Sequence, residues 1–153
     1  MTEPAAIIRT AEPADIPALC GLLQQLFSIE QDFTPDPAKQ AAGLRLLLAS
    51  PDRGAILVAV LANGEVIGMV SAQLVVSTAQ GSPAAWIEDM VIDAQYRGIG
   101  LGRQLLHQAL DWAKAHGATR AQLLVDMDNQ PAIAYYDHLG WNTTRLQARN
   151  IFL

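Results

Sequence analysis

Three glycines in five positions, followed at once by an arginine, are residues whose spacing could bind an anion. They lie in the run Arg97-Gly98-Ile99-Gly100-Leu101-Gly102-Arg103. An apolar, strand-like segment precedes this run, and residues 101–116 follow with apolar residues at helical spacing. Glycine lets the backbone approach a ligand closely, and the N–H groups at a helix start converge on negative charge. The run therefore predicts a loop that binds a phosphate.

Other loops that bind phosphate have glycines at similar spacing. A P-loop requires a Lys-Ser or Lys-Thr pair after its last glycine, but Arg103-Gln104 follow here, so that interpretation fails. A dinucleotide-binding loop has the spacing G-x-G-x-x-G and an acid at the end of the next strand, for which Asp126 is a candidate. The spacing here is G-x-G-x-G, and residues 103–153 are too few for a dinucleotide domain of the usual size. A dinucleotide-binding oxidoreductase is therefore the weaker alternative.

The remaining sequence predicts the elements that must position the loop. Apolar periodicity and turn residues indicate the order β-α-α-β-β-β-α-β-α-β within one domain, residues 1–153. Strands are predicted at residues 6–9, 55–62, 65–77, 85–92 and 121–127, with one bent strand or two short ones at residues 141–153.

Composition limits the class of protein. Hydrophobic residues make up 51% and charged residues 16% of the 153 residues, as is typical of a globular domain. The net charge of −5 argues against nucleic-acid binding. No apolar run reaches the ~18 residues that span a membrane. The single cysteine, Cys20, excludes an internal disulfide, and the first residues lack a secretory signal, so we expect a cytoplasmic protein.

Two blocks of the sequence together resemble one family. Residues 87–102 are similar to the central motif of the GNAT superfamily of N-acetyltransferases, with Arg97-x-x-Gly100-x-Gly102 matching its R/Q-x-x-G-x-G/A core. Residues 129–141 resemble the family's N-x-x-A-x-x-x-Y-x-x-x-G-F block, with Trp141 in place of the final Phe. The resemblance implies an α/β (α+β) fold, in which helices flank a mixed, mostly antiparallel sheet. Its fourth and fifth strands would be parallel and splayed apart.

The resemblance also implies acetyl-coenzyme A as the co-substrate. The loop residues that would hold its pyrophosphate, chiefly through backbone N–H groups, are Arg97, Gly98, Ile99, Gly100, Leu101, Gly102 and Arg103. The backbones of Met90, Val91 and Ile92 would bind the pantetheine arm, and one N–H would polarise the acetyl carbonyl. Asn129 would contact the pantetheine arm, cap a helix, or do both.

Acetyl transfer to an amine requires a base, since an alkylammonium has a pKa near ~10.4. By resemblance Glu88 is the preferred base. Its neighbour Asp89 is the alternative, because adjacent strand residues face opposite sides and only one is expected to line the cleft. Tyr136 matches the family's general acid, which would protonate the departing thiolate. The amine would attack directly in a ternary complex, with no covalent acetyl-enzyme and no metal.

The acceptor is the least determined part. We expect a small amine, such as a polyamine, amino sugar or aminoglycoside, while a peptide or protein amine stays open. Residues 28–37, the second helix and residues 78–83 would shape the acceptor site, with Glu30, Asp32 and Asp36 as acids that could attract an ammonium. Many relatives are homodimers, for which the C-terminal strands would pair. A non-catalytic acyl-coenzyme A sensor is the other alternative, which the presence of Glu88 and Tyr136 disfavours.

Overall fold

The computed structural model describes residues 5–30 and 34–153, and its elements follow the predicted order up to the fourth helix. The described strands are β1 (Ala6–Thr10), β2 (Gly54–Leu61), β3 (Val66–Ser77), β4 (Ser82–Ile92) and β5 (Arg120–Leu123). The described α-helices are α1 (Ile16–Ile29), α2 (Pro37–Leu48), α3 (Leu101–Ala115) and α4 (Gln130–His138).

The strands form one sheet in the order β1-β2-β3-β4-β5. Strands β1 to β4 pair antiparallel, and β5 pairs parallel with β4. This topology confirms the predicted mixed sheet, and it excludes the doubly wound parallel sheet that the dinucleotide alternative requires. The β4–β5 pairing ends at Ile87 and Leu123, whereas β4 continues to Ile92. The two strands are therefore unpaired where β4 approaches the glycine loop, in agreement with the predicted splay.

Helices cover both faces of the sheet, and each face has its own cluster of buried side chains. On one face α3 places Leu105 and Leu106 against the sheet, and on the other α1 and α2 place Leu19 and Leu44. The buried residues of α3 recur every three or four positions, so they form a single apolar stripe. Burial of one leucine side chain contributes ~1.5–3 kcal/mol. The two clusters together fix the end of β4 between α3 and the α1–α2 pair.

The prediction of a C-terminal strand at residues 141–153 is wrong. These residues form no strand, and every residue from 142 onward is exposed. The exposed fraction reaches 84% for Leu146, 83% for Ile151 and 92% for Phe152. β5 ends at Leu123, sooner than predicted, and no further described strand pairs with its outer edge. Alternating apolar residues form a strand only where a neighbouring strand supplies hydrogen bonds, and none does so here.

No helix in the described ranges 5–30 and 34–153 is both long and apolar enough to cross a membrane.

Candidate active site

The glycine loop joins β4 to α3 in a conformation that requires glycine. Gly98 and Gly100 have φ of 82° and 85°, in the left-handed region that other residues rarely adopt. Gly100 is also the N-cap of α3 and provides no side-chain cap, and the first intrahelical bond runs from Gln104 N to Gly100 O at 3.2 Å. The N–H groups before Gln104 are not used by the intrahelical hydrogen bonds of α3, and they lie at the positive end of its dipole.

The two arginines of the loop are exposed. Arg97 donates from Nε to the carbonyl of Ile92 at 3.0 Å, which ties the loop back to the end of β4. Arg97 therefore has a structural role in addition to the charge predicted for it. Arg103 lies in the first turn of α3. Burial raises the pKa of the Tyr135 hydroxyl, and the positive charge of Arg103 opposes part of that rise.

Tyr135 is a residue that the sequence reasoning did not select. Its hydroxyl is buried and has no hydrogen-bond partner within the described part of the chain. It lies beside the loop, since a Cβ added to Gly102 would be 3.5 Å from Tyr135 Oη and 3.1 Å from Met90 Cε. No motif position identifies Tyr135. An unpartnered hydroxyl beside the first turn of α3 fits a ligand that offers acceptor oxygens.

A β-bulge in β4 lies just before the loop. Ser71 pairs with Glu88 and Met69 pairs with Val91, so two residues of β4, Asp89 and Met90, stand opposite one residue of β3. Asp89 has φ of 55°, which costs a non-glycine residue about 1–2 kcal/mol. Ser71 is fully buried and donates from Oγ to the Glu88 carbonyl at 3.1 Å. This bond holds the backbone at the start of the bulge.

The bulge brings both carboxylates to one cavity. The sequence argument that strand alternation allows only one of Glu88 and Asp89 to line the cleft is wrong, because the bulge interrupts the alternation. Glu88 is exposed, and its Oε1 accepts a hydrogen bond from Trp86 Nε1. Asp89 is far less exposed to solvent, and burial raises its pKa to about 7, with smaller contributions from the charges of Glu88 and Glu30. At neutral pH its carboxyl is thus poised between charged and neutral forms.

Helix α4 carries Tyr136, the predicted general acid. Asn129 caps α4, since its Oδ1 accepts from Ala132 N at 3.2 Å, which confirms the predicted capping role. Tyr136 packs edge-on against Trp141, with ring centroids 6.1 Å apart, and joins the cluster beneath α3. Burial raises the pKa of Tyr136 to about 12, with further contributions from Tyr135 and Glu30. Its hydroxyl therefore stays protonated at neutral pH and can donate a proton.

The backbone of Met90, Val91 and Ile92 lies between the bulge and the loop. In the described chain this stretch of β4 pairs with β3 only, because the β5 pairing ends at Ile87. Their side chains pack into the core, as predicted: Val91 is buried with the α1–α2 cluster, and Met90 and Ile92 pack against the α3 cluster. The edge of β4 is thus open to a ligand where the two strands part.

A cavity of about 600 Å³ lies between α1, α2 and the sheet and ends at Glu88 and Asp89. Helix α2 contributes to its wall, as predicted, and so do Thr34 and Asp36 from the preceding loop. Residues 78–83, which we expected to shape the acceptor site, do not line this cavity. Asp36 caps α2 through Lys39 N at 3.2 Å, and Asp32 lies outside the described residues.

Comparison with known proteins links this arrangement to acetyl transfer. Residues 23–141 match the model of the acetyltransferase (GNAT) family. The streptothricin acetyltransferase of Streptomyces lavendulae is 30% identical over 87% of this chain and 79% of its own length. The aminoglycoside N(6')-acetyltransferase type 1 of Stenotrophomonas maltophilia is 31% identical over 76% and 73%.

Among solved structures, a transcriptional regulator from Bacillus halodurans C-125 superposes with a TM-score of 0.83 at 25% identity, covering 97% of this chain and 100% of that one. Some alignments with curated relatives are partial. The matches with an uncharacterized N-acetyltransferase of Methanocaldococcus jannaschii and the mycothiol acetyltransferase of Corynebacterium glutamicum (strain R) cover 35% and 17% of those proteins.

Proposed function

The chain belongs to the GNAT acetyltransferase family, and on that premise we propose that it transfers the acetyl group of acetyl-coenzyme A to a primary amine. One observation supports this above all: a cavity of about 600 Å³ is lined by Asp89, a partly buried carboxyl in the strand that leads to the glycine loop. An acceptor in the cavity and a donor on the loop would meet at the bulge of β4.

The loop and the β4 edge would hold the donor, which supplies an activated acyl group as a thioester. Backbone N–H groups from Gly98 to Arg103 would bind its phosphates, and the Tyr135 hydroxyl adjoins them. The open edge at Met90, Val91 and Ile92 would bind the amide-containing arm, and one N–H would stabilise the developing oxyanion. Asn129 at the start of α4 would contact the same arm.

We assign the general base to Asp89 rather than to Glu88. A base works best when its pKa lies near the operating pH, and burial brings the pKa of Asp89 to about 7. Glu88 is more exposed and bonded to Trp86, so it would attract the ammonium and orient it. This assignment replaces the preference for Glu88 drawn from family resemblance.

In the proposed reaction the ammonium loses two protons and the departing sulfur gains one. Asp89 takes one proton from the ammonium, and the nitrogen lone pair forms the bond to the acyl carbon while the carbon–sulfur bond breaks. Tyr136 donates its hydroxyl proton to the departing sulfur. The second nitrogen proton returns to the Tyr136 oxygen through solvent. Burial raises the pKa of Tyr136 to about 12, so its hydroxyl would be protonated at neutral pH and available to donate as the carbon–sulfur bond breaks.

The cavity supports a small acceptor. Its volume of about 600 Å³ is in the range of small-molecule sites. Two relatives that align over most of this chain are named for acetylating small amines, streptothricin and an aminoglycoside. A cavity of this size favours such amines over the terminus of a folded protein.

Two measurements test the proposal. Thermal shifts with acetyl-coenzyme A and with NAD test the donor, and we expect a rise in melting temperature with acetyl-coenzyme A alone. Release of the coenzyme A thiol across an amine panel tests turnover. Absence of any shift with acetyl-coenzyme A would exclude the proposed function. Binding without turnover on any amine would favour the acyl-coenzyme A sensor instead.

We also propose a homodimer in which the C-terminal segment of each protomer pairs with the outer edge of β5 in the other. Exposed Leu146, Ile151 and Phe152 and the unpaired edge of β5 support this pairing. In the double variant Ile151→Lys, Phe152→Glu, the mass measured by light scattering should fall by half. Val76→Lys, at another exposed apolar residue, is the control and should leave the mass unchanged. A monomeric wild-type chain would contradict the proposal.

The cytoplasmic location stays a prediction.

A further inference from the structure

Gln40 is a buried polar residue that the proposed reaction does not use. It lies on α2, one turn before the buried Leu44, and lines the same cavity as Asp89. Its side chain is only 8% exposed. Neither its Nε2 nor its Oε1 has a hydrogen-bond partner among residues 5–30 and 34–153. A leucine would fill this position on the inward face of a helix without leaving polar atoms unpaired.

Apart from the Tyr135 hydroxyl beside the glycine loop, the other buried polar side chains of the described chain are paired. Asp15 binds Arg9 through both carboxylate oxygens, at 2.7 and 3.0 Å. Ser71 donates to the Glu88 carbonyl, and Ser77 accepts from Gln80 N at 3.2 Å. Buried polar groups are almost always satisfied in folded proteins, so the unpaired amide of Gln40 calls for a partner that residues 5–30 and 34–153 do not supply.

The chemistry of a carboxamide restricts what that partner can be. Gln40 offers N–H donors at Nε2 and an acceptor at Oε1, so a complete partner must both accept and donate. An ammonium only donates and a phosphate or carboxylate only accepts, and each would leave one atom of Gln40 unpaired. A trans peptide presents its N–H and its C=O on opposite sides, so one peptide cannot reach both atoms. Neighbouring hydroxyl groups can pair with both at once.

We propose that Gln40 binds hydroxyl groups of the acceptor, so that the acceptor is a polyhydroxylated amine of the amino-sugar or amino-alcohol type. This inference rests on the acetyl transfer proposed above. The amine would lie at Asp89, and the hydroxyl groups at Gln40 on the α2 wall of the cavity. Rotation about the terminal torsion of glutamine, which is broad, would turn the amide into the cavity. Plain polyamines and alkylamines would then be poor substrates.

Matched acceptors test this inference through the ratio of two kcat/KM values. Glucamine and hexylamine both have six carbons and a terminal primary amine, but only glucamine has hydroxyl groups. We expect the wild-type protein to prefer glucamine, and Gln40→Leu to reduce the glucamine-to-hexylamine ratio by about ten- to hundredfold. The difference in amine basicity cancels when the ratio is compared between variants. Gln108→Leu, on the exposed face of α3, is the matched control and should leave the ratio unchanged.

Further measurements keep the inference separate from the acetyl transfer on which it rests. Calorimetric titration of glucamine reads binding without turnover, and Gln40→Leu should weaken it by a similar factor. If the wild-type protein acetylates no amine, the proposed reaction fails, while the calorimetric comparison still decides the role of Gln40. Equal ratios in wild type and Gln40→Leu would overturn the inference. So would a larger loss with 6-aminohexanamide than with glucamine, since the amide would then be the recognised group.

Discussion

The glycine loop and the cavity lined by Glu88 and Asp89 present different kinds of groups. The loop offers backbone N–H groups from one contiguous stretch, held by Gly98 and Gly100 in left-handed conformations. The cavity offers side chains that come from α1, α2, β3 and β4. The loop is therefore sensitive to changes in backbone conformation, whereas the cavity is sensitive to the loss of single functional groups.

The largest effect is expected at the cavity end, from Asp89→Asn. Asparagine keeps the size of the side chain and tolerates positive φ, but it cannot accept a proton. Turnover, measured as thiol release at saturating acetyl-coenzyme A, should fall by ~10²–10⁴-fold. Glu88→Gln is the matched variant and should lower turnover by less than about tenfold. The reverse pattern would return the role of base to Glu88.

A pH profile sharpens the same assignment. Asp89 must be ionised to take a proton, and burial raises its pKa to about 7. kcat/KM should therefore increase as the pH rises toward 7 and level off above it. The break near pH 7 should be absent in Asp89→Asn. A wild-type profile without a break between pH 6 and 8 would show that another group accepts the proton.

Tyr136→Phe should have the next largest effect. Removing the proposed proton donor should lower kcat by roughly ten- to hundredfold. Because Tyr136 packs in the cluster beneath α3 mainly through its ring, phenylalanine should leave the melting temperature and acetyl-coenzyme A binding unchanged. Unchanged kcat would remove Tyr136 as the acid.

The loop should respond to backbone substitution. Gly100→Ala places a Cβ at φ of 85° and costs about 1–2 kcal/mol, so affinity for acetyl-coenzyme A should fall by about tenfold as the loop shifts. Gly21→Ala is the control, since Gly21 lies within α1 and a Cβ there meets nothing within 4 Å. It should raise the free energy of unfolding by ~0.5–1 kcal/mol. Affinity for acetyl-coenzyme A is measured by titration, and the free energy of unfolding by thermal unfolding. If Gly21→Ala lowered the affinity as much as Gly100→Ala, the special role of the loop backbone would be contradicted.

The smallest effect is expected from Tyr135→Phe. Loss of the hydroxyl should raise the KM for acetyl-coenzyme A about two- to fivefold and leave kcat unchanged, because this group adjoins the loop and not the reacting atoms. Without ligand, the melting temperature should stay the same or rise, since a buried unpaired hydroxyl is removed. A lower kcat at unchanged KM would instead place Tyr135 in the chemistry.

The same difference explains what the sequence could predict. The proposed role of the loop rests on its backbone, and the glycines that allow its conformation are close together in the chain, so Gly98, Gly100 and Gly102 could be recognised from the sequence. The order of helices and strands along the chain and the cap at Asn129 also follow from local residue types. The bulge at Asp89 depends on how β4 pairs with β3, so strand alternation could not predict that Glu88 and Asp89 line the same cavity.

Tertiary packing also determines the residues that no motif identified. Tyr135 and Gln40 are notable only because packing buries their polar atoms without partners. The strand predicted for residues 141–153 was wrong for a related reason. Its alternating pattern resembles a strand, but strand formation requires a neighbouring edge that a single chain does not bring to it.

The bulge in β4 also sets the phase of everything that follows it in the strand. An unbroken ladder that kept Asp89 would pair Asp89 with Val70 and Met90 with Met69, and would invert the two sides from Met90 onward. Val91 would then face α3, and Met90 and Ile92 would face α1 and α2, opposite to their present packing. The loop would leave the sheet from the wrong side. One extra residue thus couples the acid, both halves of the core and the aim of the loop, so none of them can be redesigned separately.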